Sequence, residues 1–359
     1  MREILDDVTR WMSNGDAVAV ATVVQTWGSA PRGVGSKMAL TADNKISGSV
    51  SGGCVEGAVF EAGLEVLASG IPQLLHFGVA DETAWEVGLA CGGTIEVFVE
   101  KLAPELLQFW KDGTQKEKAI ATATIIKGKT ERLGQRVEVS DDDASVETTR
   151  GIGSLSDVII AAIRSLAQTA LREGQPRRVK LSDQVDDFVD VFVDVFVDVQ
   201  LPQPQLIVIG GGHIAIALTQ LAKIIGYRTV VIDPRSAFAN QVRFPYVDQL
   251  IAKWPAEALK EIVFSRSTAV AALTHDPKID DKALVAALQS NAFYVGALGS
   301  KNTHAQRVMR LQEAGLSESA INKMRAPIGL EIGARTPEEI ALAVMAEIVQ
   351  ARNIEPEET

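Results

Sequence analysis

Cysteine is nearly absent from this chain. Two among 359 residues rule out a disulfide-stapled scaffold and make a reducing compartment the expected home. Positive charge is also in the minority: 35 Lys and Arg against 46 Asp and Glu leave a net −11 at pH 7. That balance argues against nucleic acid or an anionic membrane as the main partner. No apolar run reaches the roughly 20 residues of a spanning helix. The opening MREILDDVTRWMSNGDAVAV scatters acids where a signal peptide needs an apolar core. The expectation is an acidic cytoplasmic protein, long enough for two or three domains that each bury a core.

The two cysteines are placed alike. Cys54 follows a glycine pair in SVSGGCVEGAVFEAGLEVLASG (49–70) and leads into an amphipathic helix; Cys91 lies in GLACGG (88–93). Flanking glycines such as Gly52 and Gly53 let backbone amides approach whatever the thiol touches. A helix start adds N–H groups and a positive dipole end, which favour thiolate. Such a thiol can bind a metal, carry sulfur or attack an electrophile. The plainer alternative is that both are small buried hydrophobes, as free cysteines often are.

The first segment reads as a helix over 2–14, then strands at 17–24, 37–42, 46–51 and 94–100, with the Cys54 helix between the last two. A similar outline recurs about a hundred residues later. ATVVQTWG (21–28) lines up with ATATIIKG (121–128), helix 55–68 with 157–174, and VFVEKLAP (97–104) with VFVDVQLP (195–202). This is a weak internal duplication, with a first copy over about 1–115 and a second over about 116–200. Gly153 and Ser154 stand opposite Gly53 and Cys54, and nothing in the second copy matches GLACGG, so the thiols belong to the first and the second reads as scaffold. FVDVFVDVFVDV (188–199) repeats one strand motif three times. A four-residue slip would reproduce it, so its register is weakly specified and no functional message is expected from it, with Asp190, Asp194 and Asp198 acting as gatekeepers against aggregation.

LPQPQ (201–205) reads as a stiff linker, and strands alternate with helices after it, predicting a doubly wound parallel sheet over 206–359. Gly210, Gly212 and Ala215 of GGGHIA fit G-x-G-x-x-A directly after the strand LIVIG (206–210), and Asp233 ends the next strand about where a ribose-binding carboxylate belongs. This makes the fold Rossmann-like; binding NAD(P) is a separate claim. Ligands in such sheets lie beyond the strands' carboxyl ends, which would collect His213, Asp233, Arg235, Thr274, His275, Gly299, Ser300 and Lys301. The histidines have no metal-ligand spacing. His213 either contacts a ligand or faces solvent, and Arg235 and Lys301 are either anion contacts or surface charges. The final helix should start at Pro337, capped by Thr336.

With these motifs assembled, the chain resembles the XdhC/CoxI family. The resemblance rests on TWGSAPRGVGSKM (26–38), GSVSGGCVEGAV (48–59) and DETAWEVGLACGGTIEVFVE (81–100), then on IGGGHIA (209–215), VIDPR (231–235), LTHDPKIDDKAL (273–284), YVGALGSK (294–301) and PIGLEIGARTPEEIA (327–341). It implies an α+β XdhC/CoxI domain over 1–200 followed by an XdhC Rossmann domain. It also implies binding of molybdenum cofactor, its protection during sulfuration, and its insertion into a xanthine dehydrogenase-like molybdoenzyme. No pyridoxal-lysine motif is present to supply sulfur, so a separate cysteine desulfurase would have to, and a labile cofactor favours the sheltered interface of a homodimer. In that setting Cys54 would contact molybdenum or relay sulfur, since soft metals favour thiolates, and Cys91 would be its partner or a sulfur acceptor. Ser29 and Arg32 offer donors for phosphate or pterin oxygens; otherwise they form a structural turn. Asp81, Glu82 and Trp85 match the motif without an evident role.

Three functional classes stay open on sequence grounds. A non-catalytic cofactor chaperone is favoured because no clear acid–base pair for a hydride substrate accompanies the thiols. An NAD(P)-dependent oxidoreductase, helped by Cys54 or His275, is the first alternative. A persulfide-carrying sulfurtransferase using Cys54 or Cys91 is the second.

Overall fold

The computed structural model describes residues 1–78, 93–141, 148–150, 155, 157–185 and 188–353. The chain divides into two compact units at Leu201/Pro202.

The first unit is one pattern used twice. Its first half runs α1 (Arg2–Ser13), β1 (Val18–Trp27), β2 (Lys37–Thr41), β3 (Ile46–Gly48), α2 (Glu56–Ser69), β4 (Gln73–Phe77) and β5 (Thr94–Lys101). Its second half repeats the order with α3 (Pro104–Gln115), β6 (Ile120–Lys127), β7 (Arg136–Ser140), β8 (Thr148–Arg150), α4 (Asp157–Glu173), β9 (Arg177–Val185) and β10 (Phe188–Gln200). The two antiparallel sheets have matching strand orders, β3-β2-β1-β5-β4 and β8-β7-β6-β10-β9. The weak repeat seen in sequence is therefore a structural duplication. Each half carries its own leading helix, so the second begins at Pro104.

Alternation along the strands explains the layering. Ala19, Ala21 and Val23 of β1, with Val97 and Val99 of β5, face Val59 and Val66 of α2. In the second half Ala121, Ala123 and Ile125, with Val193, Val195 and Val197, face Ile163 and Ala167 of α4. The opposite faces meet each other through Val24, Phe98, Ile126 and Phe196. Phe98 and Phe196 occupy corresponding places in β5 and β10, so the halves contribute the same residue to their shared core.

Charges are buried between the sheets, and they are reciprocal. Asp198 of β10 pairs with Lys37, the first residue of β2, at 2.9 Å. Glu100 of β5 pairs with Arg136, the first residue of β7, at 2.6 Å. Each half thus lends a carboxylate to the other half's cation. Lys37 is 2 % exposed; it also donates to the Thr22 hydroxyl at 2.9 Å and lies 5.7 Å from the Trp110 ring centroid. Asp194, 3 % exposed, accepts from Arg178 at 2.7 Å, and Arg178 also bonds Glu96. β10 takes one register against β6 and β9 in which Asp194 and Asp198 meet these cations. A four-residue slip would put Asp190 in the place of Asp194 and Asp194 in that of Asp198, so Arg178 and Lys37 would each still meet a carboxylate and these pairs do not by themselves select one register.

The second unit is a six-stranded parallel sheet ordered β13-β12-β11-β14-β15-β16. The strands are β11 (Gln205–Ile209), β12 (Arg228–Ile232), β13 (Gln249–Ile251), β14 (Thr268–Ala272), β15 (Tyr294–Ala297) and β16 (Met324–Arg325). Helices α5 (His213–Ile224) and α10 (Pro337–Asn353) cover one face, while α6 (Pro255–Ala258), α7 (Pro277–Leu288), α8 (Lys301–Glu313) and α9 (Glu318–Ile321) lie along the rest. Continuous apolar runs such as LIVI suit strands buried on both faces. The order reverses between β11 and β14, the switch point at which such sheets bind ligands. Thr336 caps α10 as expected, accepting from the Glu339 amide at 3.2 Å, and Glu339 returns the bond by accepting from the Thr336 amide at 3.0 Å, a capping box. Among the described residues no helix is long and apolar enough to cross a membrane.

Removing one partner of the Lys37–Asp198 pair strands a buried charge. Asp198→Ala is expected to cost about 3 kcal/mol, and the double variant Lys37→Met/Asp198→Leu to recover most of it. Urea unfolding midpoints check this; an unchanged midpoint for Asp198→Ala would show that the pair does not hold the sheets.

Candidate functional site

The chain between β3 and α2 is organised around one carboxylate. Glu56, the first residue of α2, turns back into the loop before it. Its Oε1 accepts from the Ser49 hydroxyl at 2.6 Å and from the amides of Val50, Ser51 and Gly52 at 3.2, 2.9 and 3.1 Å. Its Oε2 accepts from the Gly53 amide at 2.8 Å and from the Ser51 hydroxyl. The Ser51 oxygen in turn accepts from the amides of Cys54 and Val55, both at 3.0 Å. So tight a wrap forces the backbone to φ 80° at Gly52 and 123° at Gly53, a region that side chains oppose. Burial alone would raise the Glu56 pKa, but the hydroxyls of Ser49 and Ser51 and the Ser51 amide outweigh it and bring it down to about 2.

This revises the expectation for Cys54. The amides that were to face its ligand are turned inward, onto Glu56 and Ser51. What the loop presents outward is Cys54 itself, exposed and not in a disulfide, on an exposed Gly-Gly shoulder. Its thiol has no hydrogen-bond partner among the described residues.

A second loop, 27–36, lies against this one. Pro31 packs beside Gly52, 3.7 Å from where a Cβ on that glycine would stand. Arg32 donates to the Ser49 carbonyl at 3.2 Å and pairs with Glu3, so it ties the two loops and α1 together. Ser29 is exposed. On the other flank Gly93 approaches so closely that a Cβ there would sit 2.4 Å from the Ser29 carbonyl oxygen. Cys91 lies two residues before Gly93 in sequence; it falls outside the described residues, as do Asp81, Glu82, Trp85, Gly153 and Ser154. Nearby, Trp27 at the end of β1 is 45 % exposed, with its ring 6.4 Å from that of His76. His76 Nδ1 lies 3.3 Å from Glu96.

The second unit's crevice starts at the glycine turn after β11. A Cβ on Gly210 would sit 2.3 Å from Thr274 Cγ2, whereas one on Gly212 would meet nothing within 4 Å. Gly212 caps α5, Ala215 packs at 0 % exposure, and His213 and His275 are solvent-facing. Asp233 is also 0 % exposed. Its carboxylate accepts from the Gly211 amide at 2.9 Å and from the Arg235 guanidinium at 2.9 and 2.7 Å. Burial pushes its pKa up, but the Arg235 and Gly211 donors prevail and hold it low. The acid placed for a ribose hydroxyl is thus already matched from within. Arg235 stacks on Phe238 at 4.1 Å, and Arg243, 5.5 Å from the same ring, donates to the Gly211 carbonyl at 3.0 Å. Ser300 opens α8 and accepts from the Thr303 amide at 3.2 Å.

Residues 206–348 match the XdhC Rossmann domain and residues 11–78 match the XdhC and CoxI family. The chain belongs to the XdhC and CoxI family. It is 28 % identical over 349 residues to a probable xanthine dehydrogenase component of Bacillus subtilis, covering 95 % of both chains. It is 26 % identical over 352 residues to the molybdenum cofactor insertion chaperone PaoD of Escherichia coli, covering 98 % of this chain and 88 % of that one. A crystal structure from Bacillus halodurans, described as a xanthine dehydrogenase, shares the fold with a TM-score of 0.72 at 24 % identity, covering 99 % of this chain and 97 % of that one.

For this XdhC-family chain, the structure brings Cys54, Gly52, Gly53, Ser29 and Arg32 into one patch of the first unit. It gathers Gly210, Gly212, His213, Asp233, Arg235, His275 and Ser300 along the sheet edge of the second. Among the described residues no group of three His, Cys, Asp or Glu is arranged to hold a metal ion, so a metal at Cys54 would take a single thiolate from them. Sequence reasoning missed Glu56. A glutamate on the first turn of a helix reads as dipole complementarity, and only S-x-S-G-G-x-x-E taken whole signals a carboxylate folded back onto its own loop.

Glu56→Gln is expected to destabilise the first unit by about 2 kcal/mol at pH 7, below the full linkage value because solvent screens a partly exposed group. A depressed carboxylate pKa stabilises above the ordinary glutamate value. The advantage should therefore vanish as pH falls from 4.5 to about 2. Urea unfolding of both proteins from pH 7 to about pH 2 checks it, with equal midpoints at neutral pH as the contrary result.

Proposed function

We propose that the protein is a molybdenum-cofactor insertion chaperone, which holds the cofactor while it gains its terminal sulfur and delivers it to a xanthine dehydrogenase-type enzyme in the cytoplasm. The observation that carries this reading is the Cys54 thiol: exposed, held out by a tightly bonded loop, and without a base to activate it among the described residues. A nucleophilic enzyme supplies its thiol with a general base, a nearby cation or free helix-start amides, and here the loop's amides are taken up by Glu56 and Ser51. A temporary ligand for a soft metal needs only an accessible sulfur on a loop that does not move. Similarity across nearly the whole chain to PaoD, an insertion chaperone, supports the same reading.

The neighbours of Cys54 suit a cargo that carries a planar pterin and a phosphate as well as a metal. Trp27 offers an exposed aromatic face, and Arg32 a guanidinium between the two loops. Cys91 would join from the segment ending at Gly93. A separate cysteine desulfurase would supply the sulfur, and a homodimer would shelter the cargo. The oxidoreductase alternative is weakened by Asp233, whose carboxylate is buried and bonded to Gly211 and Arg235 rather than left open for a ribose.

Anaerobic purification from a host that makes the cofactor provides the test, with molybdenum measured by mass spectrometry and pterin by fluorescence after oxidation. Wild type should carry both at near-stoichiometric levels, and Cys54→Ser at least tenfold less. Absent pterin with retained NAD(H) would overturn the chaperone. Cyanide-labile sulfur on Cys54, with cofactor still bound by Cys54→Ser, would favour the sulfurtransferase.

A further inference from the structure

Beyond the fingerprint turn, the sheet edge holds a second feature that neither the fold nor the thiol chemistry requires. Arg307, in the second turn of α8, sends its side chain back toward the helix N-terminus. It is 2 % exposed. Nη2 donates to the Leu298 carbonyl at 2.8 Å, while Nε and Nη1 are buried without a hydrogen-bond partner among the described residues. The facing carboxylate, Asp280, stands 3.8 Å from Nη2, too far for a hydrogen bond. Asp280 instead accepts from the Thr274 hydroxyl at 2.6 Å and the His275 amide at 3.1 Å. Neighbouring Arg310 is matched by Asp281, at 2.6 and 3.1 Å. Arg307 is therefore the guanidinium of this pair whose donors are left over, and leaving charged donors buried and unpaired is costly unless something occupies them.

Those donors lie beneath the Gly299–Thr303 turn, with the Thr303 side chain 3.2 Å from where a Gly299 Cβ would stand. Gly299, at φ 145°, has no side chain, and Arg307 Nη1 is 3.8 Å from where its Cβ would stand. The first amides of the 13-residue α8, at residues 301 and 302, precede the Thr303 amide that Ser300 caps and have no intrahelical acceptor; Ser300 is exposed and Thr303 half-buried. Bare backbone, a helix N-terminus and a buried guanidinium converge at the carboxyl end of β15. Phosphate oxygens bind where such groups meet.

The fingerprint turn is less suited to the same role, because its Gly211 amide is held by the Asp233 carboxylate. We propose that the Gly299–Thr303 turn, backed by Arg307, seats a phosphate or pyrophosphate group of a ligand lying in the second unit's crevice. The seat does not depend on what Cys54 binds.

Isothermal titration of the full chain with inorganic phosphate and with pyrophosphate tests the seat. Wild type should bind at least one of them with a sub-millimolar Kd. A pyrophosphate affinity at least tenfold the stronger assigns a phosphoanhydride ligand, and comparable affinities a phosphate monoester. Removing Arg307 alone would leave Asp280 unpaired, so the comparison uses Asp280→Asn, expected to bind as well as wild type, against Asp280→Asn/Arg307→Met, expected to bind at least tenfold more weakly. Thr303→Val should weaken binding severalfold without unfolding the helix. Gly212→Ala, whose added methyl meets open space, should change the Kd less than twofold, and so should Cys54→Ser, which separates this site from the cofactor reading. No binding by wild type, equal binding by Asp280→Asn with and without Arg307→Met, or a loss confined to Gly212→Ala would each overturn the proposal.

Discussion

One carboxylate, Glu56, sets the geometry on which the Cys54 patch depends. A loop with two glycines at positive φ is expensive to order, since glycine loses more backbone freedom on folding than any other residue. Here four consecutive amides, Val50 to Gly53, converge on the same acid, and the Ser51 hydroxyl bridges that acid to the amides of Cys54 and Val55. Such charge-assisted bonds are about twice as strong as neutral ones. The thiol is thereby fixed in position while the loop's own donors point away from it. A site built this way presents sulfur and little else. That suits holding and release better than covalent turnover.

The body of the first unit shows how a duplicated sequence becomes asymmetric in chemistry while staying symmetric in structure. Both halves keep the same strand order and place a phenylalanine, Phe98 or Phe196, in the shared layer between sheets. Both also send an acid across to the other half's cation, Asp198 to Lys37 and Glu100 to Arg136. Buried pairs of this kind add little net stability, but removing one partner is costly. In β10 the Asp residues recur with the same four-residue period as Val and Phe, so the pairs fix which face of the strand is inward rather than which repeat is used.

In the second unit the fold announces itself through glycines, but its charges tell a different story from the fingerprint. Asp233 closes onto Gly211 and Arg235, so the residue whose position most strongly suggests a dinucleotide contributes to the turn's own stability. Arg307 does the opposite. It is deep, paired loosely, and lies beneath the α8 N-terminus. Burial pushes the Asp280 pKa up, against the pull of Thr274 and Arg307, so the carboxylate nearest this guanidinium is itself disfavoured in its charged form.

Much was legible in the sequence, and for local reasons. Period-2 alternation and apolar runs define the strands, Thr336 and Pro337 mark the start of α10, GGGHIA followed by Asp233 marks the Rossmann turn, and SGGC marks an unusual thiol. Most of these depend on residues within a few positions of one another. Tertiary structure alone decided which donors face whom. That Glu56 folds back to take the amides beside Cys54, that Asp233 is internally matched, and that Lys37 pairs with Asp198 from far along the chain are partner choices. Sequence lists the donors and acceptors, whereas burial decides which of them must find each other, because a desolvated charge or amide cannot be left alone.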